Sequence, residues 1–170
     1  GVSAARNSGL EAARAPYIAF VDADDTVAAS MYERLFRAAE STGADIVYCG
    51  MQLVAAGGTV IGTEPPPVSP QHVHDPTEIG RLLHEAWDRR LLWYPFRGIY
   101  SRKLITMNDI RFDAGIRKGE DSLFNLEALN LAQRVTAIDE TLYHYRKHEA
   151  SATARPLASE PANLERLGQA

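Results

Sequence analysis

The sequence predicts an α/β fold, a mixed sheet flanked by helices, and three observations carry that expectation. Short apolar runs of strand length, at residues 17–21, 45–54, 135–139 and 141–146, alternate with longer segments whose apolar residues recur at helical spacing. The first run breaks off on Asp22, Asp24 and Asp25, and α/β sheets bind their ligands just past the carboxyl ends of strands. Finally, 170 residues with 45% hydrophobic and 24% charged content suffice for one globular domain with a sizeable core.

Taken in order, residues 3–14 are Ala-rich and predict a helix with Val2, Ala5, Leu10 and Ala13 facing inward. Gly9 inside it implies a close helix–strand contact, because Gly there costs about 1 kcal/mol against Ala. Pro16 ends the helix, and the strand at 17–21 follows. Asp25 or Thr26 is expected to cap the next helix, 28–42, where Met31, Tyr32, Leu35, Phe36 and Ala39 form one stripe and Gly43 supplies the stop. Residues 45–54 read as a buried strand that holds the single cysteine, Cys49, as an inert core residue. Residues 55–58 turn, and 59–61 return as a hairpin partner.

Residues 64–76 hold five of the nine prolines and predict a surface loop. Its His72 and His74 form a His-x-His pair that reads as solvated rather than metal-binding. Thr77 is expected to cap a helix to residue 90, with Ile79, Leu82, Leu83, Ala86 and Trp87 on one face. After an aromatic stretch at 91–100 come a short helix at 101–107, a short strand at 110–112 and a loop at 113–119. A fourth helix at 120–132 points Leu123, Phe124, Ala128 and Leu131 inward, and two strands surround Glu140. Beyond residue 151 the chain is polar, with a turn or two of helix at 162–168.

Several function classes are excluded. A net charge of −4, from 22 acidic and 18 basic residues with no long basic run, argues against a nucleic-acid binder held by phosphate contacts. One cysteine permits no internal disulfide and spells out no zinc cluster. No apolar run reaches the roughly 20 residues of a membrane span, and no secretory leader is read at the start. The first residue is Gly1 rather than Met, so the chain is expected to be a piece of a longer one.

Chemistry concentrates at three places. Asp22 and Asp24, one residue apart at a strand end, can present oxygens to a hard divalent cation, Mg²⁺ or Mn²⁺, that keeps positions open for substrate phosphates. The plainer alternative is a turn and a helix cap. Glu120 and Asp121 open the fourth helix, where acids are favoured by the helix dipole and where a carboxylate beside a cleft can act as general base. Arg117 and Lys118 precede them and could lower their pKa or bind phosphate. Around residues 143–148, Arg146 or His148 leaves a strand end, either as a solvated edge or as charge for a diphosphate.

The order Ala5-Arg6-Asn7-x-Gly9, then Tyr17-Ile18-x-Phe20-x-Asp22-Ala23-Asp24-Asp25, resembles the middle of an inverting family 2 glycosyltransferase with a GT-A fold. Gly98-Ile99-Tyr100-Ser101-Arg102-Lys103-Leu104-Ile105, Phe112, Gly119-Glu120-Asp121-Ser122-Leu123-Phe124 and Leu142-Tyr143-His144-Tyr145-Arg146 recur in the family's order and spacing, so the resemblance covers about residues 1–153. It implies a partial GT-A, Rossmann-like mixed sheet, truncated at the N-terminus, that forms the C-terminal two thirds of a catalytic domain, with 154–170 as a polar tail.

It also implies roles. Asp24 would hold the Mn²⁺ or Mg²⁺ that bridges the donor diphosphate, with Asp22 facing the donor's sugar or ribose and sharing the metal. Asp121 would be the base that deprotonates the acceptor hydroxyl, supported by Glu120. Arg6 and Asn7 would lie near the donor, and Arg146 or His148 near its diphosphate or the metal. The donor implied is a nucleotide-sugar, a UDP-sugar first, and the acceptor a sugar or glycan in polysaccharide biosynthesis; the implied location is the cytoplasm, with the inner face of the membrane as the alternative. The aromatics Trp93, Tyr94 and Phe96 could stack on an acceptor, though core filling is the favoured reading. The family's first, nucleotide-binding strands have no counterpart here, so the chain is expected either to self-associate through exposed sheet edges, to borrow strands from a partner, or to be the tail of a longer chain. Two alternatives stand beside this reading: a non-catalytic GT-A piece for assembly or acceptor binding, and a haloacid-dehalogenase-type phosphatase with Asp22 as nucleophile and Asp24 as acid/base. The latter is weakened by Asp25, where that family has Gly.

Overall fold

The computed structural model describes residues 1–70, 72–86, 92–116 and 118–147. Among the described residues six strands form one mixed sheet in the order β1 (Tyr17–Ala19), β5 (Gly98–Ser101), β3 (Ile46–Ala55), β6 (Val135–Lys147), β2 (Thr26–Val27), and β4 (Val60–Glu64) forms a hairpin with the second half of β3. β3 and β6 run parallel, and the remaining neighbours are antiparallel. Helices α1 (Val2–Ala12), α2 (Met31–Thr42), α3 (Pro76–Ala86), α4 (Arg102–Met107) and α5 (Glu120–Leu131) flank it. Among the described residues no helix is long and apolar enough to cross a membrane.

Burial follows the strongest sequence patterns. Met31, Leu35 and Ala39 of α2 are fully buried, whereas Tyr32 and Phe36, expected on the same stripe, are 39% and 37% exposed; Gly43 ends that helix in a left-handed conformation, and Ile46, Val47, Tyr48, Cys49 and Met51 of β3 fill the centre. Burial also pushes the Cys49 thiol up to about 11, so it is protonated and unreactive at neutral pH. Phe20, Tyr100, Phe112 and Phe124 pack as one aromatic cluster, with Phe112 and Phe124 stacked at 4.2 Å. Phe96 is buried against Tyr143 at 4.4 Å, whereas Trp93 is 41% exposed.

Several expectations are corrected. In α1 the buried residues are Ser3 and Leu10, while Val2 and Ala5 face solvent; a Cβ on Gly9 would meet no atom within 4 Å, so it marks no close contact. An Ala-rich segment has too weak an apolar stripe to fix its inward face. The first strand is an edge strand that stops at Ala19, and Val21 is 49% exposed. Thr26 and Val27 pair with β6 instead of entering a helix, so neither Asp25 nor Thr26 caps α2, which begins after Ser30. Asp75, not Thr77, caps α3: its carboxylate accepts from the Glu78 N–H at 2.9 Å while Glu78 accepts from the Asp75 N–H at 3.1 Å, a reciprocal capping box with Pro76 in the first turn.

Residues 110–112 form no strand, because Ile110 and Phe112 are held by core packing rather than by a neighbouring ladder. The strand that does form, β5, hides in the aromatic stretch. Residues 135–147 make one strand whose register against β3 shifts around Gly50, instead of two strands. In α5, Leu131 is 40% exposed and Asn125 is buried in its stead, accepting from the Tyr100 hydroxyl at 2.6 Å and donating to the Leu92 carbonyl at 2.6 Å. The expectations for Trp87 and for 162–168 fall outside the described residues.

Gly98 sits where β5 crosses closest to β3. A Cβ there would stand 2.7 Å from the Val47 carbonyl oxygen and 2.8 Å from the Tyr48 ring. Backbone in mid-sheet cannot retreat, so Gly98→Ala is expected to destabilise the fold by about 1–3 kcal/mol or more, read as a lower midpoint in urea unfolding. An unchanged midpoint would contradict this packing.

Candidate active site

From β1 the chain crosses to the opposite edge of the sheet, and residues 20–25 make that crossing. Phe20 anchors its start in the aromatic cluster. Its end is fastened by Asp25, whose carboxylate accepts from the Tyr143 hydroxyl at 2.7 Å and from the Arg146 backbone N–H at 2.7 Å. Tyr143 Oη also lies 3.3 Å from the Asp22 N–H, which donates to it. One buried tyrosine thus holds both ends of the Asp-x-Asp-Asp segment. Burial and the bond to Asp25 push the Tyr143 hydroxyl well above the usual range, so it stays a donor. Burial raises the Asp25 carboxyl as well, against the bonds it accepts from Arg146 and Tyr143.

The second acidic site reaches this segment through Arg6. Its guanidinium donates to Asp22 Oδ1 at 2.8 Å and to Asp121 Oδ1, so a single cation lies between the two carboxylates. Two further contacts aim it. The Arg6 guanidinium lies over the Phe112 ring, 5.0 Å from its centroid, and the adjacent Asn7 clamps the Phe112 backbone by donating to its carbonyl at 2.8 Å and accepting from its N–H at 2.9 Å. Asp121 is placed by the start of α5, where Gly119 takes φ +97, a conformation that L side chains rarely adopt.

Electrostatics then separate the acids. Burial, with the charges of Glu120 and Asp22 adding to it and Arg6 opposing, pushes the Asp121 carboxyl from 3.8 up to about 7. That is the range of a group able to take and release a proton near neutrality. Asp24 is exposed beside the part-exposed Asp22.

Of the residues singled out from sequence, the fold brings Arg6, Asn7, Asp22, Asp121 and Glu120 to one place. Arg146 enters through its backbone N–H, with its side chain exposed. His148 and Arg117 lie outside the described residues. Sequence reasoning missed Asp25 and Tyr143 as the pair that fastens the acidic segment. The signal was present, since the Tyr143 and Arg146 alternation placed both on a strand, but nothing local pairs that strand with residues 26–27.

The model for the family described as "Glycosyl transferase family 2" matches residues 1–119. A protein of Bacillus subtilis (strain 168) named uncharacterized glycosyltransferase EpsJ is 40% identical over 167 residues, 98% of this chain and 47% of that protein. The succinoglycan biosynthesis protein ExoO of Rhizobium meliloti (strain 1021) is 27% identical over 161 residues, 89% of this chain and 43% of that protein. Among solved structures, S. aureus TarS 1-349 in complex with UDP-GlcNAc superimposes with a TM-score of 0.67 at 20% identity, over 91% of this chain and 41% of that one. The chain spans about half the length of the curated relatives it matches.

Proposed function

The chain belongs to glycosyl transferase family 2 and has the GT-A fold, and from that premise we propose that it carries the transfer site of an enzyme moving a sugar from a nucleotide-sugar donor, a UDP-sugar first, to an acceptor hydroxyl with inversion. The observation that carries this reading is Arg6, which draws the Asp-x-Asp segment and the head of α5 into one cluster. Inverting displacement needs a base on one face of the sugar and charge at the leaving group on the other, and the two acidic sites divide those tasks. A phosphatase of the haloacid dehalogenase type has no place in this family and fold.

Asp121 is the base: its raised carboxyl pKa suits it to accept the acceptor's hydroxyl proton. Burial keeps that pKa high, with the charge of Glu120 adding to it, and Arg6 orients the carboxylate. In the crossing segment, Asp24 and Asp22 offer only carboxylate oxygens, a donor set that fits Mn²⁺ or Mg²⁺. Such an ion, when bound, supplies positive charge to the leaving diphosphate. The UDP-GlcNAc bound to the TarS structure and the succinoglycan biosynthesis named for ExoO support a nucleotide-sugar donor and a polysaccharide product.

Calorimetric titration of UDP, with GDP for comparison, tests the donor side. UDP is expected to bind in the presence of Mn²⁺, more weakly without it, and with the metal dependence lost in Asp24→Ala. Binding indifferent to Mn²⁺ and to Asp24, or no binding at all, would remove the diphosphate site from this segment.

A further inference from the structure

A second set of metal-ligating side chains stands away from the acidic cluster. One ring nitrogen each of His72 and His74 and one oxygen of Glu78 lie within 4.8 Å of one another. Two separate elements fix them. The loop before α3 is pinned to the start of β6, where His74 and Val135 exchange backbone hydrogen bonds of 2.8 and 3.2 Å and the Thr136 hydroxyl donates to the His72 carbonyl at 2.6 Å. Glu78 belongs to the first turn of α3, held by the capping box with Asp75. His72 Nε2 already stands 3.0 Å from Glu78 Oε1.

An independent observation points to a ligand. His74 is 7% exposed, and its Nε2 is buried without a hydrogen-bond partner. Buried polar atoms are rarely left so, and an unpartnered one in a native fold calls for an explanation.

Two imidazoles and a carboxylate suit a borderline divalent ion far better than Mg²⁺ or Mn²⁺. We propose that His72, His74 and Glu78 bind one Zn²⁺-class cation, which clips the loop before α3 to β6. Ligands about 2.1 Å from zinc stand roughly 3.4 Å apart, so the three groups close in by a rotamer adjustment that exposed His72 can make. Three protein ligands leave a fourth position for water. The site is distinct from the acidic one: between Val135 and Tyr143 the strand rises roughly 25 Å at about 3.3 Å per residue.

Protein without a polyhistidine tag is titrated with Zn²⁺ by calorimetry, with thermal unfolding and Co²⁺ visible absorption in parallel. One equivalent is expected to bind and to raise Tm, with a tetrahedral-type Co²⁺ spectrum. His72→Ala and Glu78→Gln should lose at least the roughly 10–100-fold in affinity that removal of even an outer-shell partner costs. Both positions are outside the core, and Gln retains the capping bond, so these variants fold without the buried His74 being touched. Asp24→Ala should keep the zinc response intact. Equal zinc affinity in His72→Ala and the parent protein overturns the proposal, as does absence of binding at micromolar zinc or a response that disappears with Asp24→Ala instead.

Discussion

Asp121→Asn is expected to lower sugar-transfer turnover by about 10²–10⁴-fold while leaving the fold and donor binding in place. Asn matches the carboxylate in size, and Arg6 keeps its bond to Asp22, so no cation is stranded. What goes is the proton acceptor. The pH dependence follows from the same group. Since burial raises the Asp121 pKa to about 7, the base form grows in as pH rises, and kcat/KM should climb through about 7 and then level off. In Asp121→Asn the residual rate should lose that limb.

Stability carries the opposite sign. Between 3.8, where the carboxyl ionises in the unfolded chain, and about 7, where it ionises in the fold, the folded state holds the extra proton. The contribution is fully present below that window and is lost as pH rises through it. Thermal midpoints measured across the window should therefore fall with pH more steeply in the parent protein than in Asp121→Asn. Equal slopes, or a turnover limb unchanged by the substitution, would remove Asp121 from the role of base.

The second large effect is expected at Arg6. Arg6→Met keeps much of the side chain's bulk over Phe112 but takes away the cation shared by Asp22 and Asp121. A neighbouring Arg typically lowers a carboxyl pKa by 1–3, so the rising limb of kcat/KM should move upward by about that amount. Activity at neutral pH should fall accordingly and recover partly at alkaline pH. Arg6→Lys should lie between, because an ammonium restores the charge but not a fork reaching two carboxylates. A structural role alone would lower Tm without moving the limb; an unmoved limb in Arg6→Met would contradict the coupling.

Much of this was legible in the chain itself. The Met31, Leu35 and Ala39 face of α2, the Gly43 stop, the buried β3 run and the short helix after Ser101 follow from local periodicity and capping chemistry, which depend only on near neighbours in sequence. The acid pairs Asp22/Asp24 and Glu120/Asp121 were visible as residue types at the end of an apolar run and the start of a helix. Less legible was anything resting on partners distant in sequence. Asp25 has the look of a helix cap, and only the pairing of Thr26 and Val27 with β6 turns it into the anchor of Tyr143 and Arg146. His72 and His74 look solvated in a Pro-rich loop, until the docking of that loop on Val135 buries one ring and brings Glu78 to the other.

Sequence by itself determined the alternation of elements, the core of α2 and β3 and the chemical character of both acidic ends, because hydrophobic period and side-chain charge are local properties. Tertiary structure alone decided that residues 135–147 make one strand and that Arg6 stands between Asp22 and Asp121. The raised pKa of Asp121 belongs to that second group, since it arises from burial and from charges brought together by folding, and no local pattern encodes either.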